Sequence, residues 1–220
     1  MTRTARTFRD RSDAGRILAR DLGYLRDRSD TVVLGLARGG LPVGREVATY
    51  LGAPLEVCIV RKVGAPQWPE LALGAVASGG AVVLNDELIG TLELDDGQVR
   101  ELVERETAEL RRRELAYRGG RAALDLSDRT VILVDDGIAT GASMVAAARS
   151  VRRAGAARVI VAVPVGPTSV RRTLKREADE VVCSTMPAGF HAVGQVYADF
   201  HQMTDDEVRN ALEPPKSVTD

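Results

Sequence analysis

Two adjacent carboxylates follow an aliphatic run in the second half of the chain. The run is VILV, residues 131–134, and Asp135 and Asp136 come directly after it. Carboxylates beside an apolar segment cost free energy unless a cation or a hydroxyl group meets them. Mostly small and hydroxyl-bearing residues follow at positions 137–144, where successive backbone N–H groups can point at one anion. The pattern predicts a site that binds an anion beside a group rich in hydroxyls.

The segment after the carboxylates is suited to a phosphate group. Gly137 and Gly141 keep side chains out of the way, and a helix that begins near Thr140 places the positive end of its dipole there. Thr140 and Ser143 add hydroxyl donors. We therefore expect a phosphomonoester within a few ångströms of the two aspartates. The alternative is a strand, a loop and a helix N-cap with two solvated aspartates and no ligand.

Two better-known phosphate motifs do not fit. The P-loop requires four residues between its glycines and a lysine after the second, whereas three residues separate Gly137 from Gly141 and no lysine follows. The segment GLARGG, residues 35–40, lacks the glycine spacing of a dinucleotide-binding turn. The chain is therefore expected to hold its phosphate in another way.

The elements that must position this site alternate between strand and helix. Five short apolar runs rich in β-branched residues predict strands covered on both faces, at 31–36, 55–60, 130–135, 158–165 and 180–184. Helical patterns lie between or after them, at 41–51, 139–155 and 169–178. This alternation predicts an α/β fold with a doubly wound, mostly parallel sheet. Ligands of such sheets bind at the carboxyl ends of the strands, where Asp135 lies.

One region interrupts the alternation. Residues 71–86 contain two apolar runs around Gly79 and Gly80, which predicts a β-hairpin. A long polar helix is predicted next, at 95–117. The expected organisation is one domain, residues 1–220. Residues 64–124 are expected to form an insertion over the sheet edge, and residues 187–220 a small C-terminal hood and tail.

Composition narrows the class of protein. The 220 residues are 45% hydrophobic and 28% charged with a net charge of −1, which indicates a globular protein without a global field for nucleic acid or a membrane surface. No secretory signal or membrane span is apparent, so a cytoplasmic location is expected. Cys58 and Cys183 lie in strand-like runs and are expected to be buried, reduced thiols rather than a disulfide.

Residues 131–143 resemble the phosphoribosyl-diphosphate motif of type I phosphoribosyltransferases, which consists of an aliphatic strand, two acidic residues and a phosphate loop. The resemblance implies that Asp135 and Asp136 face the ribose 2′- and 3′-hydroxyls as the catalytic pair. It also implies that five loop residues hold the 5′-phosphate, namely Ala139, Thr140, Gly141, Ala142 and Ser143. Phosphoribosyl diphosphate (PRPP), a nitrogenous base, pyrophosphate and Mg²⁺ would then be the ligands. A homodimer is a family-level expectation.

Two further stretches are similar to pyrophosphate-binding segments of the family. The segment LARGGLPVG carries Arg38, Gly39 and Gly40 after the first core strand, where family members bind pyrophosphate. Arg61 and Lys62 are similar to an Arg-Lys pair that contacts pyrophosphate in adenine phosphoribosyltransferases. A helix-entry turn and a solvated basic strand end are the alternatives for the two stretches.

The resemblance also implies roles for a lid and a hood. Arg118 and Arg121 flank two glycines between the third strand and the phosphate motif, where type I enzymes carry a mobile loop. The segment 188–200 resembles the hood of hypoxanthine-guanine enzymes. On that comparison Phe190 stacks on the base and Asp199 contacts Mg²⁺.

The acceptor stays open because two comparisons point to different bases. Hypoxanthine-guanine enzymes place an aspartate where this chain has Ala139, whereas adenine enzymes have alanine there. The predicted function is Mg²⁺-dependent transfer of ribose 5-phosphate from PRPP to a nitrogenous acceptor, a purine-like base being one candidate. The alternative is a regulator of the same fold that binds PRPP or a nucleotide without turnover. A phosphatase is disfavoured, because nothing marks either aspartate as a nucleophile.

Overall fold

The secondary structure is that of an α/β protein. The structure is a computed structural model that describes residues 7–213. Within them lie eight strands, β1 (Thr31–Leu36), β2 (Leu55–Cys58), β3 (Val60–Gly64), β4 (Ala72–Ala77), β5 (Ala81–Leu84), β6 (Thr130–Val134), β7 (Arg158–Val165) and β8 (Glu180–Thr185). The same range contains seven α-helices, α1 (Arg11–Asp21), α2 (Gly40–Leu51), α3 (Asp86–Thr91), α4 (Asp96–Arg118), α5 (Ala142–Arg153), α6 (Val170–Leu174) and α7 (Asp205–Leu212).

Five parallel strands form the central sheet, in the order β2-β1-β6-β7-β8. The chain moves outward from β1 to β2 on one side and from β6 to β8 on the other. The direction of winding therefore reverses between β1 and β6, and the loops after these two strands flank the reversal. Ligand sites of open α/β sheets lie at this point. The predicted doubly wound parallel sheet is confirmed.

Both faces of the sheet are covered, which explains the uninterrupted apolar runs. Leu133 faces α5 and packs in one cluster with Met144. Its neighbour Ile132 faces the opposite side and packs with Val47 of α2 and Leu18 of α1. Because successive side chains of a strand point to opposite faces, a strand buried on both sides has no polar alternation.

A second sheet is formed by β3, β4 and β5, and its first strand begins at Val60, before the insertion predicted at 64–124. Strands β3, β4 and β5 pair antiparallel in that order, and the turn between β4 and β5 uses the positive φ angles of Gly79 (86°) and Gly80 (83°). Helix α4 begins with a capping box between Asp95 and Gln98 and packs with α7 on this sheet. The predicted hairpin and long helix are confirmed.

Three features differ from the sequence prediction. The predicted strand 55–60 is divided, because β2 ends at Cys58 and the chain then turns to join the second sheet. Ile59 marks the turn, and its backbone N–H donates to Ser78 Oγ at 2.9 Å. The sequence does not reveal this division, because the residues directly before Ile59 are apolar in the first sheet and Val60 after it is apolar in the second. Helices α1 and α3 were not predicted.

The two cysteines have the state that was expected. Cys58 and Cys183 are both buried and unpaired. Burial raises the pKa of the Cys58 thiol to about 12, so it is protonated near neutral pH. Within residues 7–213, no helix combines the length and the apolar character that crossing a membrane requires.

Gly40, at the start of α2, is expected to tolerate no side chain. A Cβ atom there would overlap the carbonyl oxygen of Val134, so Gly40→Ala should lower the free energy of unfolding by about 2–3 kcal/mol through overpacking. The matched control is Gly90→Ala in α3, where nothing lies within 4 Å of the added atom. Chemical denaturation of both variants checks this, and equal effects would contradict it.

Candidate functional site

The loops after β1 and β6 touch each other at the reversal of the sheet. A Cβ atom built on Gly39 would overlap Oδ2 of Asp136, so the absence of a side chain permits the approach. The peptide bond between Ala37 and Arg38 in this loop is cis. The structure thus brings the predicted segment 38–40 beside the acidic pair.

The two carboxylates are largely removed from water. Burial, followed by the charge of Asp136, raises the pKa of Asp135 well above its ordinary value. Asp135 Oδ1 accepts a hydrogen bond from the backbone N–H of Asp136 at 2.9 Å. Burial also raises the pKa of Asp136, and the guanidinium of Arg11 opposes this rise. Arg11 Nε donates to Asp136 Oδ2 at 2.8 Å, so a cation offsets part of the desolvation cost of Asp136.

The segment 139–143 is a loop that continues into the first turn of α5, which begins at Ala142. Gly141 has a φ of 85°, which suits glycine, and its carbonyl accepts the N–H of Val145 at 2.9 Å. The N–H groups of the first turn have no partner inside the helix. Thr140 is exposed and Ser143 is half-buried, and within residues 7–213 neither hydroxyl makes a side-chain hydrogen bond. Backbone donors and two hydroxyls are therefore free to meet an anion.

Arg38 turns away from the carboxylates toward the C-terminal segment. Its Nη1 donates to the carbonyl oxygen of Met203 at 2.7 Å, and its Nε lies 3.7 Å from a carboxylate oxygen of Asp205. A pyrophosphate bound to segment 38–40 would compete with these contacts for the guanidinium.

Arg61 and Lys62 lie on opposite faces of β3. Arg61 points toward α4, where its Nη2 and Nε donate to Glu106 Oε2 at 2.6 and 3.0 Å. Lys62 is exposed and shares its face of the strand with Val60, which packs against a cluster containing Ala146 of α5. The alternation of the strand therefore directs only Lys62 toward the side on which α5 lies.

Arg118 and Arg121 have partners in other parts of the protein. Arg118 Nε lies 3.5 Å from a carboxylate oxygen of Glu56 in β2, and Arg121 Nη1 donates to the carbonyl oxygen of Leu212 at 3.2 Å. Among the described residues, neither arginine forms a hydrogen bond or ion pair with the acidic pair. The two arginines predicted to form a lid therefore do not contact the acidic pair in this structure.

The hood packs beside the acidic loop. Phe190 is half-buried against the cluster that contains Tyr197, and the hydroxyl of Tyr197 donates to the carbonyl oxygen of Asp136 at 2.6 Å. The exposed carboxylate of Asp199 lies 3.1 Å from Nδ1 of His201. Residues 7–213 contain no cluster of three or more side chains that could ligate a metal.

Arg11 and Tyr197 were not predicted as site residues. Tyr197 is buried, and its hydroxyl reaches the acidic loop. A signal for α1 was present, because Asp10 caps the helix by accepting the N–H of Asp13 at 2.7 Å. The capping pattern could have located the helix, but not the contact of Arg11 with a residue 125 positions away.

The fold and the site together define a class of protein. A parallel sheet whose winding reverses beside an acidic pair, with a phosphate-type loop at the next helix, is typical of α/β proteins that bind phosphorylated ligands. The profile of the phosphoribosyl transferase domain matches residues 12–201. The chain belongs to the phosphoribosyl transferase domain family.

Similar proteins agree with this assignment. The chain is 48% identical over 201 residues to two Mycobacterium tuberculosis proteins, of strains H37Rv and CDC 1551, provisionally named phosphoribosyl transferases. The match covers 91% of this chain but 45% of each of those proteins, so the chain spans about half of their length. The crystal structure of the protein TT1426 from Thermus thermophilus is 46% identical, with a TM-score of 0.80 over 94% of this chain and 97% of that one.

The contrast between Arg61 and Lys62 can be measured as stability. Arg61→Gln leaves the carboxylate of Glu106, which is 12% exposed, without its main partner, so the free energy of unfolding should fall by about 1–3 kcal/mol. The matched variant Lys62→Gln should change it by less than about 0.5 kcal/mol, as is usual at exposed positions. Urea denaturation of both variants checks this. Equal losses would show that Arg61 is not held by Glu106.

Proposed function

We propose that this protein transfers the ribose 5-phosphate group of PRPP to a nitrogenous acceptor, with release of pyrophosphate. One observation supports this most directly: the partly buried acidic pair lies next to segment 139–143, at the start of α5, and next to segment 38–40. A sugar with a phosphate at one end and a pyrophosphate at the other matches that order of sites. Membership of the phosphoribosyl transferase domain family supports the same substrate.

The roles proposed for the chain are to bind and to orient. The loop Ala139–Ser143 would hold the 5′-phosphate through backbone N–H groups and two hydroxyls. Asp135 and Asp136 would accept hydrogen bonds from the ribose 2′- and 3′-hydroxyls. An acceptor nitrogen then forms a bond to ribose C1 as the bond from C1 to the pyrophosphate oxygen breaks. Positive charge develops at the ring during this exchange, so fixed geometry and nearby carboxylates supply most of the catalysis.

The pyrophosphate end is proposed to lie on Arg38, Gly39 and Gly40, with Lys62 approaching from β3. Arg61 belongs to the same proposal, although its guanidinium is engaged by Glu106. Further proposals are closure by Arg118 and Arg121, base stacking on Phe190 and a metal contact at Asp199.

Mg²⁺ fits this site as a companion of the substrate. Mg²⁺ usually keeps several waters and binds through substrate phosphates together with very few protein carboxylates, so it requires no dedicated protein cage. The exposed carboxylate of Asp199 is the chain's proposed contact, since an oxygen ligand is the type that Mg²⁺ prefers. When bound, the ion would neutralise charge on the leaving pyrophosphate.

A regulator that binds PRPP or a nucleotide without turnover is the second candidate. Two of the cations predicted to bind pyrophosphate are held by the protein itself, Arg38 by Met203 and Arg61 by Glu106. A regulator that binds a nucleotide has no pyrophosphate leaving group to hold, so the engaged arginines favour this form of the second candidate.

An assay for pyrophosphate release separates the two candidates. The protein is incubated with PRPP and Mg²⁺ and with purines, pyrimidines and small amines in turn. Release with at least one acceptor, and its loss in Asp136→Asn, would support the transferase. Binding of PRPP with no release across the whole panel would favour the regulator.

PRPP binding is expected to depend on Mg²⁺, because the ion screens the charges of the diphosphate before they enter a site that contains two carboxylates. Isothermal titration calorimetry with Mg²⁺, and with a chelator in its place, measures the difference. Absence of heat with PRPP and also with ribose 5-phosphate would contradict the proposed site.

Removing both loop hydroxyls is expected to weaken PRPP binding. The double variant Thr140→Ala plus Ser143→Ala should lose about 2–3 kcal/mol of binding free energy, if each charge-assisted hydrogen bond contributes about 1.5 kcal/mol. Its control is Thr91→Ala plus Ser127→Ala, which removes two exposed hydroxyls outside the loop. A loss below about 0.5 kcal/mol in the loop variant would place the phosphate elsewhere.

A further inference from the structure

Arg11 is the protein's own cation at the acidic pair. It comes from the first turn of α1, yet its Nε donates to Asp136 Oδ2 at 2.8 Å. The side chains of Arg11 and Asp136 are only 10% and 14% exposed. An ion pair so far removed from water is screened much less than a surface pair. The contact therefore has a strong influence on where the Asp136 carboxylate lies.

The contact occupies one oxygen of Asp136 and leaves the other available. Within residues 7–213, all side-chain hydrogen bonds to Asp136 reach Oδ2, and none reaches Oδ1. A bidentate arginine would have covered both oxygens. A carboxylate held through one oxygen keeps a fixed orientation, while its second oxygen can still accept a hydrogen bond from a hydroxyl.

The same guanidinium is fixed from the hood. Arg11 Nη1 donates to the carbonyl oxygen of His201 at 2.8 Å, and its central carbon lies 4.1 Å from the ring centroid of Phe200. Phe200 in turn stacks on Tyr197, whose hydroxyl donates to the carbonyl oxygen of Asp136. Arg11 and Asp136 are thus held by contacts to one short segment of the hood, residues 197–201.

We propose that Arg11 is a positioning residue, which orients Asp136 so that its free oxygen selects a sugar by the configuration of its hydroxyls. The inference rests on the proposed function, because it assigns Asp136 to the ribose. Arg11 need not touch the substrate. It acts through Asp136, and its contacts with His201 and Phe200 make sugar selection depend on the docked hood.

Sugar selectivity is the quantity to measure, since a purely structural role of Arg11 would weaken all ligands alike. Calorimetry compares ribose 5-phosphate with 2-deoxyribose 5-phosphate and with xylose 5-phosphate, which inverts the 3-hydroxyl. Wild-type protein should prefer ribose 5-phosphate over at least one of them by about tenfold, the contribution of one hydrogen bond to a charged group. In Arg11→Gln the preference should fall below about threefold.

The matched control is Arg16→Gln on the same helix. Arg16 pairs with Glu46 at 3.0 Å and is 43% exposed, so its removal should leave the preference unchanged. Arg11→Lys serves if the Gln variant does not fold. Lysine keeps the charge but lacks the planar guanidinium that binds Asp136 and His201 together. The preference of Arg11→Lys for ribose 5-phosphate should therefore also fall below that of wild type.

The outcomes separate this inference from the proposed function. Wild-type selectivity that persists in Arg11→Gln, or in Arg11→Lys if only that variant folds, would overturn the role of Arg11. Pyrophosphate release by wild type would still stand in that case. Wild-type protein that binds none of the three sugar phosphates would overturn the inference, and absence of heat with PRPP as well would overturn the proposed function. Selectivity lost in the Arg11 variants and kept in Arg16→Gln would support the inference.

Discussion

The structure depends on placing two carboxylates at the buried carboxyl end of β6. Burial raises the pKa of both Asp135 and Asp136, so each charge needs a partner. The chain supplies a backbone N–H for Asp135 and the guanidinium of Arg11 for Asp136. Gly39 lets a second loop approach to the same point without a side chain in between. Helix α1, the loops after β1 and β6, and the hood are therefore all arranged around one electrostatic requirement.

The second sheet shows how a parallel core can carry an added layer. The chain leaves β2 at Ile59, forms three antiparallel strands, and returns through α4 to β6. One face of β3 is tied to α4 by Arg61 and Glu106, whereas Lys62 lies on the face that looks toward α5. Arg61 thus ties β3 to α4, while the next residue, Lys62, leaves its charge available on the opposite face, because neighbouring side chains of a strand point in opposite directions.

Local patterns carried much of the fold. The strands β1, β6, β7 and β8 and the helices α2, α4 and α5 were predicted because hydrophobic periodicity and turn residues act over a few positions. The division at Ile59 was not predicted, since an apolar run looks the same whether it belongs to one sheet or two. From the sequence, Arg38 and Arg118 were both candidate cations for binding pyrophosphate, and nothing nearby indicated that either has a partner in the protein. Their partners, Met203 and Glu56, lie far away in sequence and are known only once the chain is folded.

The sequence by itself determined the α/β class, the acidic pair at the end of an apolar strand and the small residues of the loop 139–143, because spacing along the chain fixes all three. Only the tertiary structure decided which cation meets which anion. Arg11 reaches Asp136 across 125 positions, Arg61 is drawn to Glu106, and Tyr197 reaches the acidic loop from the hood. The physical reason is that a long charged or hydroxylated side chain can bind any of many partners, and the packing of helices and strands around it decides which one lies within reach.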